Sequence, residues 1–174
     1  MMKKERFFRK AYILPLAACM MLIAAPAGAD QSGALKALLV DVSGWSAQKA
    51  EGMDMNMGGI KMINAIRNYS SPAGKITVTV IAGNNAMLQG QTQPAQVETA
   101  DAKMNFEKIQ GFDVIKSFDK RGKTGSIIVT LAKKQTEGSM MVVSYEGVSS
   151  EKALEFSKKF DWNKLKSVSG KLLK

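Results

Sequence analysis

The chain has 174 residues, of which 45% are hydrophobic and 23% are charged, and its formal net charge is +10. It contains no histidine and a single cysteine, Cys19. The usual zinc sites, histidine acid–base catalysis, cysteine nucleophiles and disulfides all need these residues, so the composition argues against each of them. We therefore expect a non-catalytic protein with no cofactor.

The first 29 residues have the order of a secretory signal peptide. Five basic residues precede an apolar stretch over Ala11–Ala25, and Ala27-Gly28-Ala29 then supplies the small residues of a cleavage site. We expect cleavage after Ala29 and a periplasmic domain over residues 30–174. The alternative is a lipoprotein anchored through Cys19, because Leu16–Cys19 resembles a lipoprotein box, although the residues after Cys19 stay hydrophobic.

The positive charge is concentrated near the C-terminus. Loss of the leader removes five basic residues and Glu5, which lowers the net charge from +10 to +6. Seven lysines lie between Lys152 and Lys174, against only two acidic residues. Such a cluster can form a weak contact with an anionic membrane surface, or be a solvated helix face. The four lysines expected to make that contact are Lys158, Lys159, Lys164 and Lys166. With only Arg67 and Arg121 in the exported chain, nucleic acid is not an expected partner.

The first half of the domain is predicted to consist mainly of β-strands. A short helix or an entry segment is expected over Gly33–Leu39, and the period-two pattern of Gln48–Met57 predicts a strand that ends in a Gly58-Gly59 hairpin turn. Ile60–Tyr69 fits either a strand or a helix, and the hairpin favours the strand. A turn at Ser71–Gly74 leads into the β-branched strand Ile76–Ile81.

The second half is predicted to contain further strands and a final helix. Asn84 or Asn85 can cap a short helix over residues 86–89, and Gly90–Thr99 suggests a flexible crossover loop. Four strands are then predicted, at Lys103–Ile109, Phe112–Phe118, Ser126–Lys133 and Met140–Tyr145. Ser149 or Ser150 caps a helix whose apolar face is Ala153, Phe156 and Phe160, and Asp161 caps a last turn carrying Leu165. The predicted fold is a single α+β domain: an antiparallel sheet covered on one face by a C-terminal helix.

Several short motifs occur in one order along the chain: Gly44-Trp45, Met57-Gly58-Gly59, Arg67-Asn68-Tyr69 and Gly147-Val148-Ser149-Ser150. In these motifs the chain resembles a set of small exported bacterial proteins without an assigned activity. The succession of strands followed by a helix is also similar to the Mog1/PsbP-like fold. Neither resemblance implies catalytic residues.

Met53, Met55 and Met57 alternate with polar residues, and Met62 follows nearby. Their spacing puts three thioethers on one face of a strand, and thioethers are soft ligands suited to Cu(I). The same spacing suits a core strand in which Met fills gaps. Inward packing is the favoured interpretation, and a Met-based Cu(I) site is the alternative.

Two further patterns concern enzymes and pockets. Ser46–Lys49 and Ser149–Lys152 match S-x-x-K, and Lys123-Thr124-Gly125 matches K-T-G, but the S-D-N element of the serine enzymes that use them is missing. Trp45, Trp162, Phe156 and Phe160 either close the core or line an apolar pocket between sheet and helix. We thus expect a non-catalytic periplasmic accessory or binding protein whose partner is an envelope protein or an apolar ligand; the alternatives are Cu(I) binding and an undetected envelope enzyme.

Overall fold

The computed structural model describes residues 30–84, 97–98, 102–119 and 123–173. The predicted signal peptide, its cleavage site, Cys19 and the helix predicted at residues 86–89 lie outside the described residues. The helices are α1 (Gln31–Lys36), α2 (Ser150–Ser157) and α3 (Trp162–Leu172). The strands are β1 (Ser46–Ala47), β2 (Glu51–Met57), β3 (Ile60–Ser71), β4 (Gly74–Asn84), β5 (Val97–Glu98), β6 (Ala102–Ile109), β7 (Phe112–Asp119), β8 (Thr124–Lys133) and β9 (Glu137–Glu146).

These strands form one antiparallel sheet in the order β1-β3-β4-β9-β8-β7-β6-β5, with β2 also paired to β3. Ile60–Tyr69 is strand, so the helical alternative for that segment is wrong. The β2–β3 turn is made by Gly58 and Gly59 at φ of 58° and 80°, a left-handed backbone that glycine adopts without strain. Of the predicted crossover loop, Val97 and Glu98 are instead the short strand β5, and the rest lies outside the described residues.

All three described helices pack on the same face of the sheet, which we call the helix face. Side chains on it alternate with those of the opposite face, which we call the open face, because successive strand residues point to opposite sides. The fold is therefore α+β, as predicted. Within the described residues, no helix is long and apolar enough to cross a membrane.

The C-terminal helix prediction needs two corrections. Ser149 is the N-cap of α2, but α2 ends at Ser157, and Phe160 lies in the connection that follows it. Asp161 caps a full eleven-residue helix, α3, rather than a single turn. The chain turns after Ser157 because Trp162 folds back, with its Nε1 donating to the Ser157 carbonyl oxygen at 2.8 Å.

The core lies between the helices and the helix face. Val78, Ile127 and Val143 are fully buried there, as are Ala153 and Leu165 from the helices. Phe156 contacts Tyr69 edge-on with the ring centroids 5.0 Å apart, and Phe160 meets both rings. The predicted apolar helix residues are thus core residues.

The Arg67-Asn68-Tyr69 motif anchors the segment between α1 and β2. The Arg67 guanidinium donates to the carbonyl oxygens of Leu39 and Gln48 and pairs with Asp41. The Tyr69 hydroxyl donates to the Val40 carbonyl oxygen at 2.9 Å. Its pKa is raised to about 12, mainly by burial, so the phenol stays neutral at physiological pH. Arg67 and Tyr69 therefore both have a structural role.

Candidate functional site

The open face carries an apolar row that crosses six strands. Its members are neighbours in the strand register, from β3 through β4, β9, β8 and β7 to β6: Ile66, Thr79, Val142, Ile128, Ile115 and Phe106. Ile115 is buried, whereas Ile66, Val142, Ile128 and Phe106 are only half-buried. The row spans five interstrand distances, which is about 24 Å.

This apolar row makes the central strands apolar on both faces. Ile127-Ile128-Val129 in β8 and Met140–Val143 in β9 are continuous apolar runs, with alternate residues on the helix face and on the open face. Continuous apolar runs are typical of strands that are buried on both faces, whereas a sheet with one solvated face alternates apolar with polar residues. The open face thus has the composition of a surface that is covered.

A second row on the open face, one step along the strands, is polar. This hydroxyl row consists of Asn68, Thr77, Ser144, Ser126 and Ser117. Thr77 Oγ1 donates to Asn68 Oδ1 at 2.8 Å, and the hydroxyls of Ser117 and Ser126 are 2.8 Å apart. These groups present hydrogen-bond donors and acceptors beside the apolar row.

Two cavities flank the β6–β7 end of the apolar row. The larger, about 630 Å³, adjoins the hydroxyl row, and its lining includes Lys75, Ser117, Thr124, Ser144 and Glu146. The smaller, about 440 Å³, is lined by residues that include Phe106, Ile115 and Thr130. Both cavities mix apolar with charged side chains, since Glu107, Lys108, Asp113 and Lys133 also line the smaller one.

The ionisable groups around the larger cavity are of both signs. Lys75 and Lys103 are matched by Asp119 and Glu146, so the lining residues carry no net formal charge. The Tyr145 hydroxyl donates to the Ser117 carbonyl oxygen at 3.2 Å, and burial raises the pKa of its phenol. Tyr145 is on the helix face, where it is buried in the core, so its hydroxyl is not part of the open-face site.

Met53 and Met55 are on the open face, so the favoured interpretation, in which these methionines pack inward, is wrong. Met53 is 53% exposed and Met55 is half-buried. Met55 lies opposite the half-buried Met62, and Asp54 and Asn56 occupy the other face of β2. The inward side of β2 is polar because Asp54 accepts hydrogen bonds from the α1 backbone at Gln31 and Ser32, at 2.8 and 2.9 Å.

The helix side of the sheet is packed in its centre but has a cavity of about 580 Å³ at its rim. Trp162, Phe156 and Phe160 are each less than 5% exposed, and Trp162 meets Phe112 edge-on with the ring centroids 5.6 Å apart. Trp45 packs on Phe156, and both residues line the rim cavity together with charged residues of α2. The structure therefore supports core closure for Trp162 and Phe160, whereas Trp45 and Phe156 also line a pocket.

The four lysines expected to contact a membrane are all exposed, but they differ in their contacts. Lys158 pairs with Glu155 at 2.7 Å, and the Lys166 ammonium lies 5.6 Å from the centre of the Phe112 ring. Lys159 and Lys164 are exposed near the α2–α3 junction. The structure thus spreads the four predicted residues around the junction rather than along one helix stripe.

The Ser149–Lys152 motif has a structural role. The Ser149 hydroxyl accepts from the Lys152 backbone amide at 3.3 Å, which is the capping bond of α2. Lys123 has a left-handed φ of 49° at the start of β8. In the described part of the chain, no three or more Asp, Glu, Cys or His side chains converge as a metal site.

Sequence reasoning missed the apolar row and the hydroxyl row. The available signal was the length of the apolar runs in β8 and β9, which predicts a sheet apolar on both faces. The hydroxyl row needs the register of five strands, which local patterns do not contain.

Comparison with known proteins shows little similarity. No protein-family model matches the chain, and no curated protein matches it. Among solved structures, a GTP binding regulator from Thermotoga maritima is similar at 10% identity with a TM-score of 0.31, over 80% of this chain and 86% of that one.

Proposed function

We propose that this protein is an exported, non-catalytic binding protein that takes up a single amphiphilic molecule on the open face of its sheet. The observation that carries the proposal is the apolar row, because it places five apolar side chains, four of them only half-buried, over about 24 Å beside a row of hydroxyls. Burial of such apolar surface is the main driving force for binding an alkyl chain.

The two rows of the open face give the ligand a direction. The hydroxyl row and the adjoining 630 Å³ cavity suit a polar head, and the apolar row suits its tail. Because the lining of the larger cavity carries two lysines and two acidic residues, a neutral or zwitterionic head group fits it better than a strongly charged one. The occupant proposed is therefore a single-chain lipid with a neutral or zwitterionic head.

The leader supports an extracytoplasmic setting for this role. Its basic, apolar and small-residue segments are those of a signal peptide, and export brings the domain to a compartment bordered by lipid. The hydroxyl row adds hydrogen bonding, and its members Asn68, Thr77, Ser144, Ser126 and Ser117 carry no side chain that is ionised near neutral pH. Binding, rather than turnover, is the activity that these groups support.

Two nearly isosteric substitutions, which should change lipid affinity in opposite directions, test the proposal. Val142 and Thr79 are direct neighbours in the middle of the apolar row. Val142→Thr puts a hydroxyl into the tail site and should weaken binding of submicellar lysophosphatidylcholine about fivefold, whereas Thr79→Val should strengthen it by a similar factor. Isothermal titration calorimetry measures both.

Each variant serves as the control for the other, because both keep a β-branched residue of the same shape in a central strand. Equal affinity in the two variants, or no binding by the unsubstituted protein, would contradict the proposed lipid site. In the second case, the open face would remain a candidate for an envelope protein partner.

A further inference from the structure

The methionines of the β2–β3 hairpin lie outside the apolar row. Met53 and Met55 are two residues apart on β2, and Met62 is the cross-strand partner of Met55 on β3. We call these three residues the thioether cluster. All three are on the open face at the edge of the sheet, and Met53 is exposed to solvent.

The spacing of the cluster brings three sulfur atoms within reach of one ion. Directly opposed residues of an antiparallel pair have Cβ atoms about 5 Å apart, and residues two apart on a strand are about 7 Å apart. Methionine has three rotatable side-chain bonds, so its sulfur can move several ångströms toward a shared centre. The hairpin thus presents a set of flexible soft donors on a rigid frame.

That frame is held from several directions. Gly58 and Gly59 close the hairpin, and Asn64 Oδ1 accepts from the Met53 backbone amide at 3.1 Å. On the other side of β2, Asp54 is tied to the start of α1. The backbone positions of the three methionines are therefore fixed before any ion binds.

We propose that the thioether cluster is a binding site for a soft monovalent metal ion of the Cu(I) or Ag(I) class. Thioethers are neutral, polarisable donors that select such ions over the harder divalent cations. Histidine, which would favour zinc or Cu(II), is missing from the chain. Glu51 is on the same face of β2, two residues before Met53, and adds a favourable negative charge nearby.

The local lysine does not oppose a cation. Lys61 is on the opposite side of β3, where its ammonium donates to the Leu172 carbonyl oxygen at 2.9 Å at the end of α3. Its charge is therefore engaged by the helix terminus, on the side away from the cluster.

The test uses Ag(I) as an air-stable probe and Cu(I) in anaerobic competition with a chromogenic chelator. The protein is the full chain carrying Cys19→Ser, so that no thiol competes for the metal. We expect one tightly bound ion per chain, and an X-ray absorption spectrum of the Cu(I) form in which sulfur atoms are the nearest neighbours of the metal.

The decisive variant replaces Met53, Met55 and Met62 together by Leu, which keeps apolar bulk and removes the sulfur. It should weaken Ag(I) and Cu(I) binding by about 100-fold or more, since a chelating set of ligands is lost. The matched control replaces Met104, Met140 and Met141 by Leu, which also removes three thioethers, and it should bind as the parent does.

Unchanged metal affinity in the Met53/Met55/Met62 variant would overturn the site, and so would an equal loss in the control. The result is separable from the proposed lipid function, because Leu preserves the apolar surface and lysophosphatidylcholine binding should be unaffected. If the parent protein binds the metal but not lysophosphatidylcholine, the lipid proposal is contradicted and the metal site stands.

Discussion

The two faces of the sheet are built from the same strands but differ in how far their apolar side chains are buried. Val143 on the helix face is fully buried, whereas its chain neighbour Val142 on the open face is half-buried. The same contrast holds for Ile127 and Ile128 on the neighbouring strand. One face has its apolar surface covered by helices, and the other keeps comparable surface accessible. We infer that stability comes mainly from the helix face and binding from the open face.

Two phenylalanines provide the strongest test of this division. Phe156→Ala removes a ring that is 4% exposed and packed between Tyr69 and Trp45, so the free energy of unfolding should fall by about 3–5 kcal/mol. Phe106→Ala, in the apolar row, should cost about 1–2 kcal/mol because the ring is only half-buried. Urea denaturation measures both.

Similar losses in the two Phe→Ala variants would contradict the division of roles between the faces. A larger loss for Phe106→Ala would show that the open face contributes to stability as a covered core does. The unchanged slope of the urea transition serves as the control for a common unfolded state.

Most of the strands were predictable because local pattern and register agree. The β-branched run of β4 and the Gly58-Gly59 turn determine their structures through backbone preferences that act within a few residues. Ser149 and Asp161 cap helices for the same local reason. These elements form as the sequence predicts because no tertiary contact opposes them.

What could not be predicted is which side of each strand faces the helices. The alternation of Met53, Met55 and Met57 defines a face but not its direction, since Asp54 turns inward only because the start of α1 lies there. Likewise, α2 ends at Ser157 because Trp162 folds back on its carbonyl. Both outcomes depend on contacts between segments distant in the sequence or across a turn.

Two aspartate substitutions, one on each face, test which face of the sheet a methionine occupies. Met141 is fully buried on the helix face, so Met141→Asp should cost more than about 4 kcal/mol or prevent folding, because it buries an unpaired charge. Met55→Asp should cost only about 1–2 kcal/mol, because Met55 is half-buried at the sheet edge and a carboxylate there reaches water. The midpoints of thermal and urea denaturation report the difference. Severe destabilisation by Met55→Asp would show that Met55 is packed in a core.

The smallest expected change in stability comes from substituting C-terminal lysines. This substitution tests whether the helix side of the molecule contacts a membrane more than the rest of its surface does. Of the four lysines predicted to contact an anionic membrane, Lys158 is paired with Glu155 and Lys166 lies over Phe112, so we expect Lys159 and Lys164 to contribute most. Their double substitution by Ala should change the free energy of unfolding by less than about 0.5 kcal/mol, because exposed lysines add little to stability. It should also weaken binding to vesicles containing anionic lipid at low salt. That binding should fall further as salt rises, since the screening length drops from about 10 Å at 0.1 M to about 3 Å at 1 M.

The matched control for this lysine prediction is Lys49→Ala with Lys133→Ala, which removes the same charge from exposed positions in the strand region. Vesicle sedimentation compares the two double variants with the parent at each salt concentration. If both lose binding equally, net charge alone attracts the protein and the α2–α3 junction is not a contact surface. If only the Lys159/Lys164 variant loses binding, the junction faces the membrane. The open face, on the opposite side of the sheet, would then point away from the lipid surface, and its ligand would have to leave the bilayer before it binds.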